Sequence, residues 1–143
     1  MLRSALSGLG LGLAVAAMIG SGAAGAQSAA RIFRVGYIVV ATPEEQAHLT
    51  RAFEDALRDF GYVEGRDVAY ERRFAHGDTG RLPDLAAELV KLAPDVIVTG
   101  GNPVIAAVRR TATTIPVVMG ISRDPVGAGF VASYGRPGGN VTG

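Results

Sequence analysis

Polar side chains that could bind a small molecule stand where strands are expected to end. Thr42 and Asn102 are each followed by proline, an arrangement in which a polar residue caps a helix and the proline takes its first position. Unpaired backbone N–H groups and the helix dipole attract anions to such helix starts. The pattern favours a carboxylate-bearing ligand such as an amino acid, while capping without ligand contact accounts for Thr42 and Asn102 equally well.

Asp124 precedes Pro125 just beyond another expected strand end. A carboxylate in this position can take a ligand amine or begin a turn through its side chain, and the turn is favoured because Asp-Pro pairs often start turns. Gly100 and Gly101, which stand directly before Asn102, allow a ligand to approach the backbone closely. They could equally serve only to end a strand before a helix.

Missing residue types and motifs argue against catalysis and against metal binding. The chain has no cysteine, which excludes disulfides, thiolate metal sites and a cysteine nucleophile. His48 and His76 are not spaced as metal ligands, and we interpret both as surface residues. No G-x-S-x-G, P-loop or G-x-G-x-x-G motif follows a strand. We therefore predict no catalytic residue, no metal and no cofactor.

The charge balance indicates which partners to exclude, and the amino-terminal segment indicates the location of the protein. The 14 basic and 13 acidic side chains are mixed rather than clustered, which argues against a nucleic-acid partner. Arg3 is followed by an uncharged apolar stretch ending in Ala24-Gly25-Ala26, a pattern typical of a signal peptide spanning 1–26. A retained membrane anchor is the alternative. Cleavage after Ala26 predicts an exported or periplasmic protein comprising 27–143.

Alternating strand and helix patterns follow this segment. β-branched runs predict strands over 34–40, 95–99 and 116–120, and apolar residues at helical spacing predict helices over 43–60, 78–92 and 103–111. A further strand is predicted over 67–74, where residues alternate between two faces, with Val68, Tyr70 and Phe74 on one and Glu71 and Arg73 on the other. Such alternation predicts an α/β fold with a doubly wound parallel sheet. With the half-exposed second strand at an edge, the strand order is 2-1-3-4, and ligands are expected at the carboxyl ends of strands 1, 3 and 4.

Two of the predicted helices carry an apolar stripe that the fold should bury. The stripe of the first comprises Leu49, Phe53, Ala56, Leu57 and Phe60, and that of the second Leu82, Leu85, Ala86, Leu89 and Ala93.

Six separated blocks identify the sequence as similar to a known family. They are FGYVEGRDV at 60–68, RLPDLAAELV at 81–90, DVIV at 95–98, TIPVV at 114–118, DPVG at 124–127 and RPGGNVTG at 136–143. In this order they resemble the ABC-transporter substrate-binding protein family, which has the type 1 periplasmic-binding fold. The resemblance implies a non-enzymatic receptor of two lobes that closes on a small solute, such as an amino acid, and delivers it to a membrane permease.

The resemblance also suggests which residues bind the ligand. The family's pocket draws on the loops after strands 1, 3 and 4, which implies a site formed by Thr42, Gly101, Asn102, Pro103, Ser122 and Asp124. Family members are about twice as long, so we expect 27–143 to form an incomplete first lobe without the second. The alternative function is a small exported flavodoxin-like α/β domain that acts alone as an enzyme or a sensor.

Overall fold

A five-stranded parallel sheet is the centre of the computed structural model, which describes residues 31–143. The strands are β1 (Phe33–Val39), β2 (Val68–Phe74), β3 (Val96–Gly100), β4 (Val117–Ile121) and β5 (Val141–Thr142), and the helices are α1 (Pro43–Asp59), α2 (Leu82–Lys91) and α3 (Asn102–Thr111). The sheet order is β2-β1-β3-β4-β5, with every neighbouring pair parallel. The predicted doubly wound sheet and its order 2-1-3-4 are confirmed. The predicted signal peptide lies outside the described residues.

The fifth strand was not predicted. Its two residues are too few to show any periodicity, and their pairing depends on contacts far away in sequence. The side-chain amide of Asn140 donates to the carbonyl oxygens of Ala112 (2.5 Å) and Ile115 (2.8 Å), and the backbone carbonyl of Asn140 accepts from Val117 N at 2.7 Å. These contacts hold β5 beside β4.

One face of the sheet is covered by α2 and α3. Gly36 on β1 lies against Leu89 of α2, which is fully buried, and the core continues through Ile97, Val108 and Val117. Four of the five residues predicted for the α2 stripe are buried. The exception is Ala93, which is exposed and lies beyond the end of the helix with a φ of 49°. A left-handed residue at this position ends a helix by turning the backbone away.

The other face carries α1, and here the structure differs from the prediction. No residue of α1 is buried, and Leu49 and Phe60 of the predicted stripe are 45% and 80% exposed. The helix lies over the β1–β2 edge, where Phe53 packs edge-on against Tyr70 with ring centroids 6.2 Å apart. The amphipathic pattern therefore predicted the helix correctly and its depth of burial incorrectly, because depth depends on how much of the sheet the helix covers.

The segment before α2 differs from the prediction, and the edge strand β2 agrees with it. Asp78 was expected to begin the second helix, and its carboxylate instead accepts from Gly80 N at 2.8 Å to cap a 3₁₀ turn (Thr79–Arg81) that leads into α2. In β2, Tyr70 faces α1 and Arg73 faces α2, where its guanidinium lies 3.6 Å from Glu88. This confirms the predicted alternation of the edge strand.

Within 31–143, none of the helices is long and apolar enough to cross a membrane.

The close approach of α2 to β1 gives a testable prediction. A β-carbon at Gly36 would lie 3.0 and 3.1 Å from the two Leu89 methyl carbons and 3.2 Å from Ile97 Cγ1. Gly36→Ala should therefore lower the free energy of unfolding by about 1–3 kcal/mol through overpacking. The matched variant Gly120→Ala, whose new β-carbon meets its nearest atom at 3.6 Å, should be close to neutral. Urea unfolding measures both, and equal losses would contradict the packing argument.

Candidate functional site

The predicted site residues follow β1, β3 and β4, which are neighbours in the sheet. Because the strands are parallel, the loops at their carboxyl ends lie along one edge. Val35 pairs with Tyr70 on the face that contacts α1, and Gly36 points to the opposite face, toward α2. The helix that follows β1 and the helix that precedes β3 therefore lie on opposite faces of the sheet. The position between β1 and β3 is the topological switch point, where ligands of such sheets bind.

Thr42 forms a complete capping box at the start of α1. Its hydroxyl accepts a hydrogen bond from Glu45 N at 3.2 Å, and Glu45 Oε2 accepts one from Thr42 N at 2.9 Å. The carbonyl oxygen of Thr42 accepts from Gln46 N at 3.1 Å. The predicted capping role of Thr42 is therefore confirmed. The first helical position is Pro43, which has no N–H to offer.

Glu44 adds a second carboxylate to this helix start. Its carboxylate accepts from its own backbone N–H and from the Thr42 hydroxyl, and these two hydrogen bonds, in that order, lower its pKa. The side chain is fully exposed and stays ionised at neutral pH. The N–H groups of Glu45 and Gln46 are already paired with Thr42, and an incoming carboxylate would meet the negative charge of Glu44.

At α3 the predicted cap is wrong. The residue before the helix is Gly101, with a φ of 85° and no side-chain cap, and Asn102 is the first helical residue. The backbone N–H of Gly101 donates to the Ile121 carbonyl at 2.7 Å, which joins the ends of β3 and β4. This bond directs Asn102 toward the segment after β4 rather than toward its own helix. The left-handed backbone explains why a glycine is needed before the helix.

Asn102 and Ser122 are brought together by these contacts. Asn102 Oδ1 accepts from Ser122 Oγ at 3.1 Å and from Arg123 N at 3.0 Å, and Asn102 Nδ2 donates to the Arg123 carbonyl at 2.8 Å. Residues 20 and 21 positions apart in sequence therefore form one polar unit at the edge of the sheet. Pro103 follows in the first turn of α3 and is exposed.

Asp124 forms a turn. Its Oδ1 accepts from Gly127 N at 2.9 Å, and its backbone has a φ of 47°. A β-carbon at Gly127 would lie only 2.0 Å from Asp124 Oδ2, so this turn requires glycine at position 127. The predicted turn role is confirmed, and contact of Asp124 with a ligand amine remains a prediction.

Two residues at this edge were missed from the sequence. Thr99 at the end of β3 is 2% exposed, and its hydroxyl donates to the Ile38 carbonyl at 2.8 Å, which joins β3 to β1 beneath the crevice. A polar residue inside an apolar strand was the available signal. Arg123 is exposed next to Ser122, with its backbone fixed by Asn102.

Concave surfaces also occur away from this edge. One groove of about 400 Å³ lies near the amino ends of β1 and β3, between Phe33, Leu57, Tyr62 and Val96, and another of about 380 Å³ lies beside Arg109 and 129–141. Neither is lined by a residue of the predicted site. Among residues 31–143, no three carboxylate or imidazole groups are placed to hold a metal ion. His48 and His76 are both exposed, as predicted.

The comparisons with known proteins agree with one another. Residues 35–143 match the family model of the ABC transporter substrate binding protein. A tyrosine-binding protein of Clostridioides difficile (strain R20291) is 33% identical over 93 residues, which cover 65% of this chain and 27% of that protein.

Two solved structures share this fold. The ABC domain from Streptococcus pneumonia in complex with L-Trp superposes with a TM-score of 0.72 at 25% identity, and a conserved domain protein from Vibrio cholerae with a TM-score of 0.73 at 29% identity. Each match covers 79% of this chain and 38% of the other chain. The chain thus spans about a quarter to two fifths of the length of these relatives.

The capping box predicts the effect of a conservative change. Thr42→Ala removes the acceptor for Glu45 N and should lower the free energy of unfolding by about 1 kcal/mol, within a range of about 0.5–2 kcal/mol. Thr42→Ser keeps a hydroxyl and should retain most of the stability. Chemical denaturation of the three proteins measures the difference, and equal stability of the alanine and serine variants would contradict the capping role.

Glu44 predicts a pH dependence of stability. Because its pKa is lowered from the ordinary 4.5, its ionised form stabilises the folded state above that value, and the contribution disappears as the pH falls through the lowered pKa. The wild type should therefore melt above Glu44→Gln at pH 6, and the two should converge as the pH falls below the lowered pKa of Glu44. Asp59→Asn at the opposite end of α1 should not lower the melting temperature at pH 6, since the helix dipole disfavours a negative charge there. A difference between wild type and Glu44→Gln that is constant with pH would exclude this mechanism.

Proposed function

Because the chain belongs to the ABC transporter substrate-binding protein family, we propose that it is the solute-binding component of an ABC import system. The observation that carries the proposal is the match of residues 35–143 to that family. The polar edge at the carboxyl ends of β1, β3 and β4 supports it, because ligands of doubly wound sheets bind at such an edge. Binding rather than catalysis is the proposed activity, in keeping with a family of substrate-binding proteins.

We propose an amino acid or a similar small molecule as the ligand. One relative is named a tyrosine-binding protein, and another was crystallised in complex with L-Trp. The edge itself carries both signs of charge, with the ionised Glu44 beside β1 and the guanidinium of Arg123 after β4. In this proposal a zwitterion places its ammonium group toward Glu44 and its carboxylate toward the α3 side of the crevice. Thr42, Gly101, Asn102, Pro103, Ser122 and Asp124 surround or shape that site.

Capture of the solute requires a second surface. The edge formed by 31–143 is open, and a hinged receptor encloses its ligand by closing two lobes around it. We therefore propose that 27–143 supply the first lobe of a two-lobed receptor, consistent with the much greater length of the relatives. We also propose that the protein is periplasmic or exported, with 1–26 as its signal peptide and an ABC permease as its membrane partner.

A ligand panel tests the proposed function. The purified receptor, including the second lobe proposed above, is titrated by calorimetry and thermal shift with L-tyrosine, L-tryptophan and L-phenylalanine, with D-ribose as a control of another chemical class. We expect at least one amino acid to raise the melting temperature by several degrees at saturation, because a ligand at 100 times its Kd stabilises the folded state by about 2.7 kcal/mol. A shift with ribose alone, or with no compound, would contradict an amino-acid receptor.

Analogues of the ligand test its proposed orientation. For tyrosine these are tyramine, which lacks the carboxylate, and 3-(4-hydroxyphenyl)propanoate, which lacks the ammonium group. Glu44→Gln should weaken binding of tyrosine and tyramine and leave binding of the propanoate unchanged or stronger. An equal effect on all three compounds would show that Glu44 does not face the ligand ammonium group.

A further inference from the structure

The side chain of Asn102 is an internal connection between two loops of the crevice. Its amide plane engages both polar backbone groups of Arg123, accepting from the N–H at 3.0 Å and donating to the carbonyl at 2.8 Å. A peptide group of a neighbouring strand offers the same donor and acceptor pair. Directly after β3, Gly101 N donates to the Ile121 carbonyl at the end of β4. The Asn102 side chain then extends this pairing between the two segments as far as Arg123.

The hydrogen-bonding capacity of this amide is largely used within the protein. Oδ1 accepts from Arg123 N and from Ser122 Oγ at 3.1 Å, which occupies both of its lone pairs. A ligand ammonium group therefore finds no free acceptor on Asn102. The bonds span 20 and 21 residues, so they fix the position of one loop relative to another rather than the local shape of either.

We infer that Asn102 is a positioning residue, which locks Ser122 and Arg123 against the start of α3 and thereby sets the shape of the ligand site. Its effect on the ligand passes through the segment it holds, and this part of the inference rests on the proposed function. The locking itself does not, because it is a property of the free protein. This positioning role comes in addition to the ligand contact that was predicted for Asn102.

Three variants separate the bonds. Asn102→Ala removes all three, Asn102→Asp keeps both acceptor contacts and loses the donor to the Arg123 carbonyl, and Ser122→Ala loses only the hydroxyl contact. The matched control is Ser133→Ala, since the Ser133 hydroxyl also bonds to backbone, at Arg136 N (3.1 Å) and the Arg136 carbonyl (3.3 Å), in a different loop. All four changes remove polar side-chain contacts to a loop, and only the first three affect the crevice.

The first measurement is hydrogen exchange of the Arg123 amide, followed by NMR on the free protein. We expect exchange to accelerate by about tenfold or more in Asn102→Ala, to accelerate less in Asn102→Asp and Ser122→Ala, and to remain as in the wild type in Ser133→Ala. Unchanged exchange in Asn102→Ala would overturn the locking role. If that variant does not fold, Asn102→Asp and Ser122→Ala decide the same question.

The second measurement is the affinity of the two-lobed receptor for L-tyrosine and L-tryptophan at 10 °C, with each variant first checked for folding by circular dichroism. We expect Kd to rise by roughly tenfold in Asn102→Ala and to stay unchanged in Ser133→Ala, whatever their melting temperatures. Faster exchange with an unchanged Kd would overturn the effect on the ligand site. If the wild type binds neither compound, the proposed amino-acid ligand fails, and the exchange data alone support or overturn the locking of the loop.

Discussion

The position of β1 between two parallel neighbours is the constraint on which the rest of the structure depends. It pairs with β2 over seven residues and with β3 over four, and the connections to those neighbours cross opposite faces of the sheet. Parallel strands require crossovers, and right-handed crossovers running in opposite directions place their helices on opposite faces. The crevice between the ends of β1 and β3 follows from this arrangement. Thr99 strengthens it from below by bonding to the Ile38 carbonyl.

The two helix starts at the crevice resemble each other in sequence and differ in structure. At α1 the threonine caps its own helix, and two glutamates in the first turn give that side a negative charge. At α3 a left-handed glycine takes the cap position, and the asparagine turns away to bind the segment after β4. The same motif of a polar residue followed by proline therefore produces one closed, acidic helix start and one that organises a neighbouring loop.

The relatives that match this chain are much longer than the matched segment. This chain covers 38% of the structures to which it is similar, and its open edge provides one surface of the enclosed site that we propose. A site formed from two surfaces needs each surface to be ordered before the two meet, because loops that become ordered on binding reduce affinity. The contacts of Thr42 and Asn102 supply that order on this lobe.

The sequence by itself determined four of the five strands, the three α-helices, their order and the class of fold. Periodicity and capping act within about four residues, so the start of α1 at Pro43, the edge character of β2 and the turn at Asp124 could all be predicted from local pattern. The family resemblance, carried by six blocks, was predicted too and agrees with the match over residues 35–143.

Only the tertiary structure decided the roles that depend on distant partners. The side chain of Asn102 can either cap its own helix or bond to the segment after β4. The pairing of β3 with β4 brings that segment close enough for Asn102 to bond to it. The added strand β5 arises in the same way, from pairing with residues far away in the chain. The exposure of α1 depends on how much of the sheet the helix covers, which local pattern does not specify. Local pattern specifies what a side chain can bind, and the fold determines which partner is present.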